Sequence, residues 1–329
     1  MGFLDALEES RQQSSSRRGF RGLSRLKKQE AKWGYMFISL WIIGFLAFGL
    51  IPMVVSFYFS LLDFQLAKPD DIQFIGLENW RFMFFEDELV YEALRVTFVF
   101  AFITLPIGMV VSLLLAILLN SEFLWGKNIF RTLFYMPTMV PGIAATLIWG
   151  GVLNSQTGWL NKLIETVTGY PALGLNGLRW LDEPRLVYFA YTFIGLWGIG
   201  NAILINLASL QGVPTDLYEA AKVDGAGWWA RLRHITLPMI SPVIFYNLII
   251  GLVGLLRYFE TPFIFNGGNG YPEGYTRFFM IHFYNHTFSY SSMGYGSTLA
   301  WLMFFIGLAI TIALFGTAKY WVYYAGEQR

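Results

Sequence analysis

The run from Gly34 to Leu62 carries no charge and exceeds the roughly 20 residues that cross a bilayer as a helix. A water-soluble domain has no place for such a stretch. Further apolar runs follow at Val96 to Leu119, Thr132 to Val152, Leu186 to Leu210, Met239 to Phe265 and Thr298 to Ala318. Charged residues make up only 14% of the chain and hydrophobic ones 55%, against roughly a quarter charged in soluble proteins. The expected fold class is therefore an all-α membrane protein with six transmembrane helices. The first run begins after Trp33 and is too long for the core of a cleavable signal, so it reads as a retained span. With zero cysteines, disulfides and thiolate metal sites are excluded.

The net charge of +1 carries little message, but its distribution sets an orientation, because Lys and Arg concentrate on the cytoplasmic side. Residues 1–33 hold Arg11, Arg17, Arg18, Arg21, Arg25, Lys27, Lys28 and Lys32 and read as a basic cytoplasmic tail, with a short surface helix expected at Gly2 to Glu9. Six spans place 34–322 in the membrane and 323–329 back inside as a short tail. Inner connections then hold Lys127, Arg131, Lys222, Arg231 and Arg233. The connection after the first span is acidic, with Asp63, Asp70, Asp71, Glu78, Glu86, Asp87, Glu88 and Glu92, and lies outside. The Gly-rich and Pro-rich stretch Asn154 to Arg185 is assigned outside too. A basic tail with no folded reader beside it gives no reason to expect nucleic acid as a partner.

Between the fourth and fifth runs lies a polar island, 211–238, with Glu219-Ala220-Ala221-Lys222-Val223-Asp224-Gly225-Ala226 at its centre and Leu237-Pro238 at its end. Asp216 three residues before Glu219 suits a capping box, and Gly225 can take the left-handed conformation that closes a helix. The expectation is a compact surface helix from Asp216 to Asp224. Ala220 and Ala221 keep one face thin, so the helix can lie deep in a partner's groove.

These residues, Glu-Ala-Ala, Asp-Gly-Ala and then Ile235-Thr236-Leu237-Pro238, resemble the cytoplasmic loop of permease subunits of bacterial binding-protein-dependent ABC importers. The family often has Phe where this chain has Leu232. The resemblance extends to Gly76-Leu77-Glu78-Asn79-Trp80, Trp180-Leu181, Phe259-Glu260 with Gly267-Gly268, and Gly294-Tyr295-Gly296-Ser297. Those points resemble carbohydrate importers of the maltose and glycerol-phosphate type, although Asn266 and Asn269 stand where that group usually has Thr and Pro. The resemblance implies the type I importer permease (MetI-like) architecture in the bacterial inner membrane. Its implied partners are a second permease, two ATP-binding subunits, an extracytoplasmic solute-binding protein and a sugar, besides membrane lipid. It also implies that Glu219 contacts the ATPase, that Ala220 and Ala221 pack closely against it, that Asp224 braces the loop, and that Gly225 turns it, with Leu237 and Pro238 closing the motif.

Catalytic chemistry is missing. Gly126-Lys127 is followed by Asn128 and opens no phosphate-binding loop, so any ATP is bound by partner subunits and the chain is not expected to be an enzyme. His282 and His286 stand four apart without the Glu of a zinc-protease pair or an evident third ligand, so aromatic packing is the expectation and no metal is assigned. An Arg in hydrocarbon costs ~2.5–3.5 kcal/mol, so Arg257 must face the bundle interior or reach water. Its i, i+3 spacing to Glu260 allows an ion pair near the outer interface, and contact with the solute is the other role open to both residues. Tyr258, Asn247 and Asn206 could meet a solute or join helices as polar glue. Two alternatives stay open: a permease of the same superfamily for peptides, amino acids or ions, and a secondary transporter. The latter needs an inverted repeat and coupling acids within the membrane.

Overall fold

The computed structural model describes residues 25–169, 171 and 177–324. The expected helix at Gly2 to Glu9, most of the basic tail, Gly174 and residues 325–329 lie outside them. The chain divides into two compact units, Met1–Tyr58 and Phe59–Arg329.

The first apolar run forms helix α1 (Leu26–Phe59), which starts within the stretch expected as tail, well before Gly34, and ends close to the expected Leu62. At Pro52 it does not break. It widens instead into one π turn at Leu46–Leu50. A proline inside a helix lacks an N–H and its ring strikes the carbonyl four residues back; a widened turn just ahead moves that carbonyl aside.

In the second unit, three more helices are long and apolar enough to cross a membrane: α3 (Glu88–Asn120), α10 (Trp228–Asn266) and α12 (Met293–Trp321). Two further candidate spans are bent pairs. Helices α4 (Lys127–Met139) and α5 (Gly142–Val152) meet at 105°, and α7 (Pro184–Trp197) and α8 (Gly200–Gln211) meet at 56°. The short helices α2 (Glu78–Phe85), α6 (Trp159–Thr168), α9 (Thr215–Val223) and α11 (Phe279–Tyr284) lie in the connections, α11 running on into a π turn at Asn285–Ser289. The strands β1 (Leu62–Asp63) and β2 (Gln73–Phe74) pair antiparallel, Leu62 opposite Phe74.

The sharper bend follows from its prolines. Pro137 sits in a 3₁₀ turn, Met136–Met139, and Val140 is extended at φ −79°, ψ 127°, the conformation that a following proline imposes. Pro141 then opens α5. The fourth span, expected at Leu186 to Leu210, is made of two helices that bend at Gly198 and Ile199, where no proline announces the break. The span α10 is broken too, at Arg257 to Phe259, between a helix ending at Leu256 and one starting at Glu260.

Apolar packing is concentrated at the two ends of the unit. Toward the 211–238 loop, Ala116 and Leu119 of α3 pack with Ile203, Leu207 and Leu210 of α8 and Ile240 of α10. Toward the opposite end, Val96 and Phe100 of α3 pack with Val187, Ala190 and Tyr191 of α7 and with Phe278 and Ile281. There the Gly76 to Trp80 motif acts as a clamp: Asn79 Nδ2 donates to the carbonyls of Ser60 (3.1 Å) and Leu62 (2.9 Å), and Trp80 Nε1 to Ser60 Oγ (3.2 Å). Gly294 lets the start of α12 approach this clamp, since a Cβ there would strike the Leu62 carbonyl, whereas Gly296 makes room for Thr287.

Candidate functional site

Helix α9 is the centre of the 211–238 loop, and its two ends are made differently. At its start the expected capping box is absent: Pro214 takes the cap position with no side-chain hydrogen bond, so Asp216 falls inside the first turn. Pro214 at φ −57° pre-sets the entry, and Asp216 and Lys222 instead complement the helix dipole from the first and last turns. The other end closes as expected. Gly225 has φ +77°, and the N–H groups of Gly225 and Ala226 reach the carbonyls of Lys222 (3.1 Å) and Ala221 (2.8 Å). That pair of bonds is a Schellman closure.

The helix is held to the bundle by Tyr218, whose hydroxyl shares a 2.9 Å hydrogen bond with Thr236 Oγ1 at the base of α10. Its outward side is bare. Glu219 and Asp224 are exposed and neither makes an ion pair or hydrogen bond through its side chain with a described residue, so the expected bracing role of Asp224 has no partner among the described residues. Ala220 is exposed and Ala221 half-buried. Beside them stand apolar residues that sequence reading passed over: Val223, 88% exposed, and Trp228 and Trp229, whose rings stack at 5.5 Å. Adjacent tryptophans in a polar loop were the available signal. Leu237 and Pro238 take no part in this surface. Leu237 packs against the adjoining core, and Pro238 follows a π turn at Leu232–Thr236, the arrangement also seen before Pro52.

Inside the bundle, Asn206 is buried and donates to Ser112 Oγ (3.2 Å), while its Oδ1 accepts from Asn247 Nδ2 (2.8 Å). The two asparagines thus tie α3, α8 and α10 together, and of the two roles open to them this geometry favours glue for Asn206. Asn247 also borders a cavity of about 510 Å³ lined by Thr104, Thr192, Asn201 and Tyr246, and Asn201 is exposed there. Tyr258 is packed ring to ring against Phe100 (4.8 Å) and Phe278 (5.1 Å) rather than facing this cavity.

The expected Arg257–Glu260 ion pair does not form, because the break in α10 separates the two side chains. Arg257 lines a separate apolar cavity of about 450 Å³ with Phe283, Met303 and Phe304. Glu260 lies instead over the start of α5: a Cβ added to Gly142 would come within 2.5 Å of its Oε2. A carboxylate there faces the free N–H groups and positive dipole end of a helix.

At the end of the unit opposite α9, the structure brings a third group to His282 and His286. Asp87, at the N-cap of α3, accepts from Leu89 N–H on Oδ1 (3.0 Å) and from Tyr295 Oη (2.5 Å) on Oδ2, with His282 Nε2 2.9 Å from Oδ2. His286 Nε2 lies 4.0 Å from the same oxygen. Burial would push the Asp87 carboxyl up, but the Tyr295 hydroxyl and His282 hold it below its ordinary value. Burial pushes both imidazoles down, His286 to about 4 with His282 adding to the shift, and His282 against the opposing pull of Asp87.

Residues 108–329 match the family described as binding-protein-dependent transport system inner membrane component. The chain belongs to this family. Among the similar proteins of this kind, the probable ABC transporter permease protein YesP of Bacillus subtilis (strain 168) is 34% identical over 307 residues, covering 93% of this chain and 96% of the relative. The trehalose/maltose transport system permease protein MalF of Thermococcus litoralis is 31% identical, covering 90% and 97%. The arabinooligosaccharides transport system permease protein AraP of Bacillus subtilis is 31% identical, covering 89% and 90%. In solved structures the fold is matched by a chain of a bacterial ABC transporter involved in import of the acidic polysaccharide alginate, at a TM-score of 0.73, 23% identity and coverage of 90% and 99%. This ABC permease is thus a multi-pass component of the inner membrane and a transport subunit rather than an enzyme, and its helical architecture is that of an importer permease.

Proposed function

We propose that this permease forms half of the translocation pathway of an ATP-driven sugar importer and receives the ATPase stroke through α9. The second permease completes the pathway, two ATP-binding subunits sit beneath, and an extracytoplasmic binding protein delivers the solute. The observation that carries the reading is the outward side of α9. Glu219, the small Ala220 and the exposed Val223 stand on a helix anchored by Tyr218, and Trp228 and Trp229 add exposed apolar surface at the start of α10 in the same loop. Such a surface leaves charge and apolar area without a partner among the described residues, and an ATPase groove supplies both. Force passes through it only if the contact differs between the open and closed ATPase dimer, since equal affinity for both states shifts nothing.

Sugar as the solute rests on the names of the relatives, which include transporters of trehalose/maltose and arabinooligosaccharides. The cavity bordered by Asn201, Tyr246 and Asn247 offers amide, hydroxyl and aromatic groups of the kind that bind sugars. A solute of another class, carried by a permease of the same superfamily, is the alternative reading. The loop and both termini belong on the cytoplasmic side, as the Lys and Arg distribution favours.

The test is purification of the chain with its associated subunits and measurement of ATPase activity with and without sugar-loaded binding protein. Stimulation in the wild type, and its loss in Glu219→Ala with the complex intact, is the expected result. A chain that purifies alone and still moves solute would overturn the reading.

A further inference from the structure

The cluster at the opposite end of the unit from α9 is not needed for coupling, and its donors are chemically selective. Two imidazoles and one carboxylate converge from residues 87, 282 and 286, and their ligand atoms all lie within 4.8 Å of one another. We propose that Asp87, His282 and His286 form a binding site for a divalent transition-metal ion of the zinc type, which ties α11 to the starts of α3 and α12.

The two distances measured from Asp87 bracket what such an ion needs. Two ligands about 2.0–2.1 Å from a tetrahedral zinc stand roughly 3.3 Å apart. Asp87 Oδ2 is 2.9 Å from His282 Nε2 and 4.0 Å from His286 Nε2, so the pair straddles that value. A gap of 4.0 Å is too long for a hydrogen bond. The His286 ring makes none with a described residue, although its side chain is only 22% exposed. The π turn that follows α11 sets the two rings 4.6 Å apart, on the side facing Asp87.

An outer shell is also built. The Leu89 N–H fixes Oδ1, the Tyr295 hydroxyl fixes Oδ2, and the carboxylate is thereby aimed at the imidazoles. Groups of this kind orient metal ligands and are worth 10–100-fold in affinity. On binding, the proton that His282 Nε2 shares with Asp87 passes to Nδ1, so the imidazole stays neutral with Nε2 free to ligate, and a water completes four ligands. Imidazole with carboxylate favours zinc over calcium or magnesium, which prefer all-oxygen sets.

The full-length chain, purified from membranes with its associated subunits through a tag free of histidine, is stripped with chelator and titrated with cobalt(II) and zinc. Intense visible d–d absorption from cobalt in the wild type, displaced by zinc, is expected. Equilibrium dialysis is expected to give one more zinc per chain than in His286→Gln, with affinity in the variant at least 100-fold weaker, beyond the outer-shell range. His286→Gln leaves the Asp87 hydrogen bonds to His282 and Tyr295 in place, so its melting temperature in chelator should equal that of the wild type. Zinc should raise that temperature only in the wild type. No visible cobalt band in the wild type, or equal zinc binding by both proteins, would overturn the proposal and leave the cluster a hydrogen-bonded bundle.

Discussion

At Gly225 a single backbone angle decides whether α9 ends where it does. The residue sits at φ +77° with open space around it, so a side chain there meets no neighbour and costs only the left-handed backbone, about 1–2 kcal/mol. Gly225→Val should therefore insert and fold nearly as the wild type does. Its ATPase stimulation by loaded binding protein should fall several-fold because the closure reshapes; unchanged transport would count against the role of α9. Asn206 makes the converse case. Truncation to Ala strips partners from Ser112 and Asn247, and interhelical hydrogen bonds of this kind are worth ~0.6 kcal/mol on average and up to about 1.7. Asn206→Ala should lower thermal stability modestly and leave the apparent solute affinity unchanged, whereas Asn201→Ala, at the exposed cavity wall, should weaken transport without lowering stability. A matching loss of solute affinity in Asn206→Ala would move that residue from glue to pathway.

The broken helices show which features of an element are written locally. Pro137 and Pro141 announce the 105° bend, and Gly225 announces the end of α9, because each acts through its own backbone. The start of α9 was misread by two residues, since Asp216 and Glu219 have capping-box spacing but Pro214 already pre-sets the entry. The Arg257–Glu260 pair failed for a related reason: i, i+3 spacing brings side chains together only in a continuous helix, and α10 breaks between them. Asp87 lies 195 residues from His282, and no periodicity links the two. The position of Glu260 gives a test at this scale. Gly142→Ala should push the Glu260 carboxylate off the start of α5, at a cost within about 1 kcal/mol for a dipole contact, because the obstructing atom is the end of a flexible side chain. It should then reproduce the phenotype of Glu260→Ala, and the double variant should be no worse than either alone. Additive losses in transport would show that Gly142 and Glu260 act independently.

For the molecule as a whole, orientation ties every site to a compartment, and the chain is convenient for measuring it because it contains zero cysteines. With each bent pair counted as one span, three spans, the second to the fourth, separate the β1–β2 connection from the α9 loop, which puts the two on opposite sides of the membrane. Phe74 is 69% exposed and Val223 is 88% exposed, and single cysteines at these positions should react without disturbing the core. In spheroplasts a membrane-impermeant maleimide should label Phe74→Cys at once and Val223→Cys only after permeabilisation. Labelling of Val223→Cys from outside would put α9 away from ATP and remove its coupling role, along with the cytoplasmic placement of the termini. The same cysteine reads the ATPase contact. With the associated subunits bound, Val223→Cys in permeabilised membranes should be protected several-fold relative to the stripped chain, and the protection should change when ATP closes the ATPase dimer. Protection that is constant across nucleotide states would mean a static dock, which cannot transmit a stroke.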